Sequence, residues 1–365
     1  MASPPDFTQD VQQATTEGEL SSARDQVARL QRTVQQQAGQ LRDARSELEE
    51  LTKERDRSAA SRLSVLAPPK WASPKQKQAK RHATPILLLS DLHYQEVVNP
   101  AEIGGINAYN SRIAERRIRS VFDGGIGLVR NYSGDLTIDG AVVALNGDML
   151  TGIIHDELLN TNDQLMFPAL VSLAEILCAG IGQWADEFGN VFVPCEWGNH
   201  GRLFQKKKAK GAAGENFDWM LSQMVQAHFK DDPRVTVEHT LSPHLVFQVY
   251  ATRFLLTHGN HGVGGSSGHG IGGIWPTIMR ALSKIRSQMS ATGVEFDMAL
   301  MGHWHQFIVS AGLVINGTPK GPDEWSTQMG FVPEPPSQSL LMVTPERGVT
   351  DVRAIYCSDR QAEKW

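Results

Sequence analysis

Two histidines lie two residues apart behind an apolar run in the segment MALMGHWHQF, residues 298–307. On a β-strand, side chains at i and i+2 point to the same face, so His303 and His305 can be directed at one point. Two imidazoles placed in this way can bind a metal ion, or they can be ordinary histidines of an apolar core. The rest of the chain has to decide between these interpretations.

The elements that would position such groups are short apolar runs, each ending in polar residues or glycine. They occupy residues 86–91, 141–148, 191–196, 253–258 and 298–303. Runs of this kind are typical of buried strands in an α/β sheet. Four intervening segments are long enough for crossover helices, at 111–130, 163–187, 215–229 and 274–290. The alternating tail at 339–356 predicts a strand, a turn and a second strand.

Each predicted strand ends in residues that can bind a metal or transfer a proton. These residues are Asp91, His93, Asp148, Asn199, His200, His258, His303 and His305. Binding sites in open α/β sheets form at the carboxyl ends of the strands, so we expect these side chains to meet at one edge. So orderly a placement argues against a chance scatter of histidines.

This mixture of side chains predicts two metal ions rather than one. Imidazole and carboxylate together suit Zn, Fe, Mn and similar ions, and the candidates are too many for one four- to six-coordinate ion. A carboxylate can bridge two ions about 3.5–4 Å apart, and such a pair stabilises both the attacking and the leaving oxygen of an in-line phosphoryl displacement. The glycines before Asp148, Asn199 and His303 allow close backbone approach and unusual φ angles.

The series Asp-x-His, Gly-Asp, Gly-Asn-His, His and Gly-His-x-His resembles the calcineurin-like metallophosphoesterase superfamily. The resemblance covers roughly residues 85–310 and extends to about 358. Each motif is short, but the complete set in this order is highly specific. The resemblance implies a four-layer α/β/β/α sandwich with a dinuclear site at one sheet edge. Its two divalent ions would be Mn, Fe, Zn or similar.

The resemblance also implies a role for each residue. Asp91, His93 and His305 would hold the first metal, Asn199, His258 and His303 the second, and Asp148 would bridge them. His200 would not bind metal but would stabilise the transition state or protonate the leaving oxygen. A metal-bridging hydroxide would be the nucleophile, which agrees with the capacity of two divalent ions to lower the pKa of bound water toward neutrality.

The chain departs from the phosphoprotein phosphatases of that superfamily at two positions. Those enzymes carry a fuller GDxxDRG motif and an acidic residue after GNH. Here the segments are GDMLTG and GNHGR, with Thr151 at the position of the motif's carboxylate and Gly201 after His200. No local carboxylate partner for His200 is visible, which argues against a protein phosphatase.

Basic residues follow His200 closely. Arg202 is next to the motif and could fork onto phosphate oxygens, so we interpret it as a catalytic residue. Lys206, Lys207 and Lys208 follow it, with Lys210 beyond, and cations beside such a site favour a polyanionic substrate. A merely solvated basic loop is the alternative.

Two further segments could contact a substrate. His155 follows Asp148 closely in sequence and could bind substrate, although a capping or packing role is an equal alternative. The glycine-rich segment 258–276 begins at His258 and could bind phosphate through its backbone, form a lid, or be a surface loop without a direct role.

The chain is predicted to have three parts. Residues 1–60 comprise a polar N-terminus and a coiled-coil helix, because residues 17–58 fit an imperfect heptad frame. This helix could join copies of the chain into a homo-oligomer, or it could be a single solvated helix or one folded back on its own globular domain. Residues 61–84 form a basic, proline-containing linker that could attract nucleic acid or another anionic surface, or could be merely solvated. Residues 85–365 form the catalytic domain.

Composition predicts a cytoplasmic location. The formal net charge is −5, which gives no global bias toward polyanions. Three widely spaced cysteines form no disulfide framework, which fits a reducing compartment. The polar first residues do not resemble a secretory signal, and there is no run of about 18 apolar residues, so we expect no membrane contact.

The predicted function is dinuclear metal-dependent phosphoester hydrolysis. The two basic segments and the missing phosphatase motif favour a phosphodiesterase or nuclease that acts on DNA, RNA or a nucleotide. One alternative is a phosphomonoesterase that acts on a protein or a small phosphate ester. Another is a non-catalytic nucleic-acid-binding or assembly protein, and the complete ligand set argues against it.

Overall fold

The computed structural model describes residues 39, 66, 69–72, 81–134, 136–261 and 275–363. The chain divides into two units, Met1–Leu63 and Ser64–Trp365, and every described residue except residue 39 falls in the second. The predicted coiled coil at 17–58, apart from residue 39, and the glycine-rich segment 262–274 lie outside the described residues. The self-association expected of the coiled coil therefore stays a prediction.

Twelve strands and seven α-helices are present in the described part of the chain. The strands are β1 (His82–Leu89), β2 (Thr137–Ile138), β3 (Ala141–Asn146), β4 (Val191–Glu196), β5 (Val235–His239), β6 (Leu245–Val249), β7 (Thr252–Leu256), β8 (Met298–Met301), β9 (Ile308–Ser310), β10 (Leu313–Ile315), β11 (Ser337–Thr344) and β12 (Gly348–Tyr356). The helices are α1 (Ser111–Ser133), α2 (Leu158–Thr161), α3 (Met166–Phe188), α4 (Phe217–His228), α5 (Trp275–Ala291), α6 (Glu324–Gln328) and α7 (Arg360–Glu363).

The strands form two sheets. The first has the order β12-β11-β1-β3-β4-β5, with β2 paired to β1 outside this path. Its strands β1, β3, β4 and β5 are parallel, whereas the terminal hairpin of β11 and β12 adds to β1 in antiparallel orientation. The second sheet has the order β6-β7-β8-β10-β9, and β7, β8 and β10 are parallel.

Three apolar cores separate four layers. Alternate residues of β1 face opposite sides: Leu87 packs toward α1, α3 and α4, whereas Ile86 packs toward the second sheet. The second core lies between the two sheets, and the third joins the outer face of the second sheet to Ile278 and Leu282 of α5. The predicted α/β/β/α sandwich is therefore confirmed, and burial of β1 and β3 on both faces explains their unbroken apolar runs.

The predicted elements agree closely with those observed. All five apolar runs are strands, all four predicted crossover segments are helices, and the tail forms the β11–β12 hairpin. β1 begins at His82, within the stretch predicted as linker. Leu66 and Ala72 of that stretch also hydrogen-bond through their backbones to Val246 and Tyr250.

Helix α3 is long and apolar enough to cross a membrane by length and composition alone. Half of its most apolar window is buried inside the protein, where Leu173, Leu177 and Trp184 belong to the first core. A helix in the core of a soluble protein also passes this test, so length and composition are weak evidence that α3 spans a membrane.

We expect the C-terminal helix α7 to be held by one buried ion pair. Arg117 is fully buried, and its Nε and Nη2 atoms donate to the two carboxylate oxygens of Glu363 at 2.9 and 2.8 Å. Changing Glu363 to Gln leaves the guanidinium buried beside a neutral amide. Because breaking a buried pair is costly, the free energy of unfolding in urea should fall by about 3–5 kcal/mol.

The matched control for this change is Glu115→Gln. It breaks the exposed pair of Glu115 with Arg119, which lies on α1, the helix that also carries Arg117. An exposed i,i+4 pair is worth about 0.3–0.5 kcal/mol. Equal losses in the two variants would show that the buried pair does not fix the C-terminus.

Candidate metal centre

The predicted ligands follow the carboxyl ends of five strands and meet at one edge of the sandwich. Asp91 and His93 follow β1, Asp148 follows β3, Asn199 and His200 follow β4, His258 follows β7, and His303 and His305 follow β8. The first sheet thus supplies the ligands from β1, β3 and β4, and the second sheet supplies three histidines.

The donor atoms form overlapping groups. Atoms of Asp91, His93 and His305 lie within 4.8 Å of one another, and so do atoms of Asp148, His258 and His303. Asp148 also belongs to a third such group, with His93 and His200. The Asp148 carboxylate is therefore within reach of both sides of the site, which is the placement required of a bridging ligand.

The separations between donor atoms fit metal coordination. Two ligands bound at about 2.0–2.2 Å to one ion, at angles between 90° and tetrahedral, lie about 2.9–3.5 Å apart. His93 Nε2 lies 3.1 Å from His305 Nε2, which lies 3.4 Å from Asp91 Oδ1. On the other side, the buried Oδ1 atom of Asn199 has no hydrogen-bond partner among the described residues. These residues fit a pair of divalent ions.

The backbone is unusual at the same positions. Seven non-glycine residues of the described chain have a φ angle in the left-handed region. Five of them are the predicted ligands Asp91 (53°), His93 (44°), Asp148 (51°), His303 (72°) and His305 (55°). Such conformations cost on the order of 1–3 kcal/mol each and concentrate at functional sites. The backbone turns sharply after each strand and directs these side chains to a common centre.

Glycine is required before two of the ligands because of space. A Cβ atom on Gly302 would lie 2.5 Å from Asp91 Oδ2, and one on Gly198 would lie 2.8 Å from the Cγ atom of Asp148. Any side chain there would displace a ligand carboxylate. The close backbone approach inferred from the sequence is therefore present at both positions.

Hydrogen bonds orient the ligands. Asp91 accepts from Ser90 Oγ at 2.5 Å and from the His303 backbone N–H at 2.9 Å. His258 Nδ1 donates to the Asn146 carbonyl at 2.8 Å, so Nε2 faces Asp148. Burial alone would lower the pKa of His258, but the carboxylates of Asp148 and Asp91 outweigh it and raise the pKa to about 10. The centre thus has an excess of negative charge that a cation would neutralise.

Asp218 organises the loops that carry the ligands, and the sequence did not point to it. Its buried carboxylate accepts from the backbone N–H groups of Asp148 and Gly198 at 2.9 Å each, and from that of Met149 at 3.1 Å. Burial and the nearby charge of Asp148 raise its pKa to about 6. Asn216, the N-cap of α4, donates to the Gly198 carbonyl. An asparagine at this position can indicate the start of a helix, but it does not indicate that Asn216 and Asp218 contact the loops that carry the candidate ligands.

His200 has a backbone partner where the sequence suggested a missing carboxylate. Its Nδ1 atom lies 2.8 Å from the carbonyl oxygen of Thr151. A carbonyl can only accept, so the proton is on Nδ1 and Nε2 remains available as an acceptor or, when protonated, as a donor. The His200 ring lies 4.6 Å from that of His93 and 5.9 Å from the exposed ring of His155.

The basic loop after His200 is partly engaged in its own structure. The Arg202 guanidinium donates to the carbonyls of Phe204, Asn199 and Gln205 at 2.9, 3.2 and 2.8 Å. In this state it holds the loop, and its role toward phosphate stays a prediction. Lys206, Lys207 and Lys208 are all exposed, and Lys208 also pairs with Glu215 at 2.9 Å and lies over the Phe204 ring.

Comparisons with known proteins add a general likeness. A scan against protein-family models finds no match, and a search of curated proteins finds no relative. Among solved structures, a Staphylococcus aureus protein described as a 5′-nucleotidase is 10% identical with a TM-score of 0.35, over 76% of this chain and 55% of that chain. The sulfate thiohydrolase SoxB of Thermus thermophilus is 10% identical with a TM-score of 0.29, over 77% of this chain and 57% of that chain.

A dimetal phosphatase from Danio rerio is 12% identical with a TM-score of 0.31, over 75% of this chain and 99% of that chain. The chain spans little more than half the length of the first two proteins. Because these TM-scores are low, the assignment of the site depends on the ligand geometry rather than on these likenesses.

Proposed function

We propose that this protein is a two-metal phosphoester hydrolase that acts on phosphodiesters of nucleic acid or nucleotides. The observation that carries this proposal is the position of Asp148, whose carboxylate lies in one group with His258 and His303 and in another with His93 and His200. When bound, two divalent ions supply Lewis acidity toward the phosphoryl oxygens and an activated water. The remaining tasks belong to side chains of this chain.

His200 is the residue that would hold and deliver a proton. Its backbone N–H donates to Asp148 Oδ1 at 2.7 Å, and its ring is fixed through Nδ1 by the Thr151 carbonyl. With the backbone held by Asp148 and the ring held through Nδ1, Nε2 is the atom available to a leaving oxygen. General acid catalysis of this kind contributes about 10²–10⁴-fold to the rate.

The diester preference rests on two features of the residues around His200. A carbonyl oxygen, rather than the carboxylate of the protein-phosphatase pattern, orients the imidazole. The loop that begins beside Asn199 and His200 also presents Lys206 and Lys207 to solvent, where they can contact the phosphates that flank a scissile bond.

The direct test compares hydrolysis of aryl phosphate monoesters and bis-aryl phosphate diesters by metal-loaded protein. Single- and double-stranded DNA, RNA and cyclic nucleotides follow as larger substrates. We expect the diester to be cleaved with the higher kcat/KM. A preference for the monoester would support the phosphomonoesterase alternative. Metal binding without hydrolysis of either ester would favour a non-catalytic binding protein.

We further predict that Lys206 and Lys207 give binding of single strands its salt dependence. The slope of log K against log salt is about −0.7 per phosphate neutralised on single strands. Changing both lysines to Gln should make the slope shallower by up to about 1.4, because two phosphate contacts are lost. Hydrolysis of a small aryl diester should not change, because that substrate does not reach the loop.

Lys208→Gln is the matched control for this measurement. Lys208 is on the same loop but is already paired with Glu215, so its loss should change the slope less. An unchanged slope in the Lys206 and Lys207 double variant would mean that the loop is only solvated, and the preference for nucleic acid would lose its local support.

A further inference from the structure

A partly buried carboxylate lies behind one proposed ligand of the first metal. Glu96 Oε2 is 3.5 Å from Nδ1 of His93, and this Nδ1 atom makes no hydrogen bond with another described residue. The Nε2 atom of the same ring faces His305, inside the ligand group. When Nε2 binds a metal, the ring proton must be on Nδ1, where it is directed toward Glu96. Histidine ligands usually donate this second N–H to a carboxylate or carbonyl, which fixes the ring and raises its basicity.

A buried lysine holds Glu96 in place. Lys320 is only 3% exposed, and its Nζ atom donates to Glu96 Oε1 at 2.9 Å and also to Asp323. Burial alone would lower the pKa of Lys320, but the carboxylates of Asp323 and Glu96 raise it above the ordinary value, so the amine is a permanent cation. The second Glu96 oxygen accepts from the Thr151 hydroxyl at 3.0 Å. Glu96 therefore has little freedom to move away from His93.

The two sides of the metal centre are not equivalent in this respect. The Nδ1 proton of His93 faces a carboxylate, whereas the Nδ1 proton of His258 is donated to the neutral carbonyl of Asn146. An anionic partner makes an imidazole a stronger donor to metal than a neutral partner does.

We propose that Glu96 and Lys320 form a positioning pair that selectively strengthens metal binding at the site of Asp91, His93 and His305. Glu96 orients the His93 imidazole from behind, and Lys320 fixes Glu96. Neither residue touches substrate. The same Thr151 that contacts Glu96 through its hydroxyl orients His200 through its carbonyl, so the pair also supports the residue proposed to deliver the proton. This inference rests on the two-metal site of the proposed function.

The test is a titration of metal-free protein with Mn²⁺. Calorimetry measures the affinity of each ion, and electron paramagnetic resonance monitors the bound ions. The wild-type protein should bind two ions, and the ion held by Asp91, His93 and His305 should bind more tightly than the other. In Glu96→Gln the tighter binding should weaken by about 10–100-fold, the usual effect of losing an outer partner of a histidine ligand, and the other ion should be unaffected. Glu102→Gln is the control. This carboxylate is on the same segment but is exposed, and among the described residues its side chain accepts a hydrogen bond from Asn99.

A second variant covers the case in which Glu96→Gln does not fold. Glu96→Asp keeps the charge that Lys320 requires but withdraws the carboxylate from His93, so it should weaken the same ion by a smaller factor. Wild-type affinity for both ions in folded Glu96→Gln or Glu96→Asp would overturn the proposal, and so would an equal loss at both. A wild-type protein that binds no divalent ion would instead refute the proposed two-metal function itself, so the two failures are distinguishable.

Discussion

Replacing Asp148 with asparagine should abolish hydrolysis and reduce the metal content below that of the wild-type protein. Asp148 is the residue whose carboxylate belongs to groups on both sides of the site, and an amide oxygen is a poor bridge between two cations. The expected fall in kcat/KM is at least about 10³-fold, or about 4 kcal/mol of transition-state stabilisation. Metal analysis and hydrolysis of a bis-aryl diester measure the two effects on the same sample.

Asp156→Asn provides the control for this change. Asp156 is the exposed residue after His155, and its carboxylate accepts a hydrogen bond from the Gln205 side chain. Its replacement should alter neither metal content nor kcat. Full metal content and activity in the Asp148 variant would show that the carboxylate does not bridge two ions.

His200→Ala should separate catalysis from metal binding. The His200 ring is held by the Thr151 carbonyl. It lies near His93 and Asp148 but belongs neither to the group of Asp91 nor to that of His258, so metal content should stay near the wild-type value. Turnover should fall by about 10²–10⁴-fold, the usual contribution of a positioned acid or base. The measurement is kcat at saturating metal, together with metal content by elemental analysis.

A loss of metal in His200→Ala as large as that in Asp148→Asn would make His200 a ligand. His155→Ala is the informative comparison, because the exposed His155 ring lies 5.9 Å from that of His200 and belongs to neither ligand group. It should affect KM more than kcat if it contacts substrate.

The strands and the clustering of the candidate ligands could be predicted from the sequence because both depend on local patterns. An apolar run buried on both faces identifies β1 or β3 without knowledge of its neighbours, and a parallel strand places whatever follows it at the edge where sites form. The glycines before Asn199 and His303 carry the same kind of information. The α/β/β/α layers then follow from the resemblance that these motifs define.

The supporting contacts could not be predicted because they depend on backbone atoms and on distant residues. The partner of His200 is a carbonyl, which every residue has, so Thr151 gave no signal through its side chain. Lys320 meets Glu96 across 224 positions of sequence, and nothing local indicates that this lysine is buried. Arg202 was assigned to phosphate because of its position, yet in this structure its donors are directed to carbonyls of its own loop.

Because the candidate ligands come from two sheets, a bound ion would form a cross-link between layers. Asp91 follows a strand of the first sheet and His305 a strand of the second, and an ion bound to both must be released before the sheets can separate. Cation concentration is therefore thermodynamically linked to folding: an ion present at a thousand times its dissociation constant adds about 4 kcal/mol to the free energy of unfolding. If the proposed ions are bound, their chelation would weaken the contact between the sheets directly, in addition to abolishing the proposed hydrolysis.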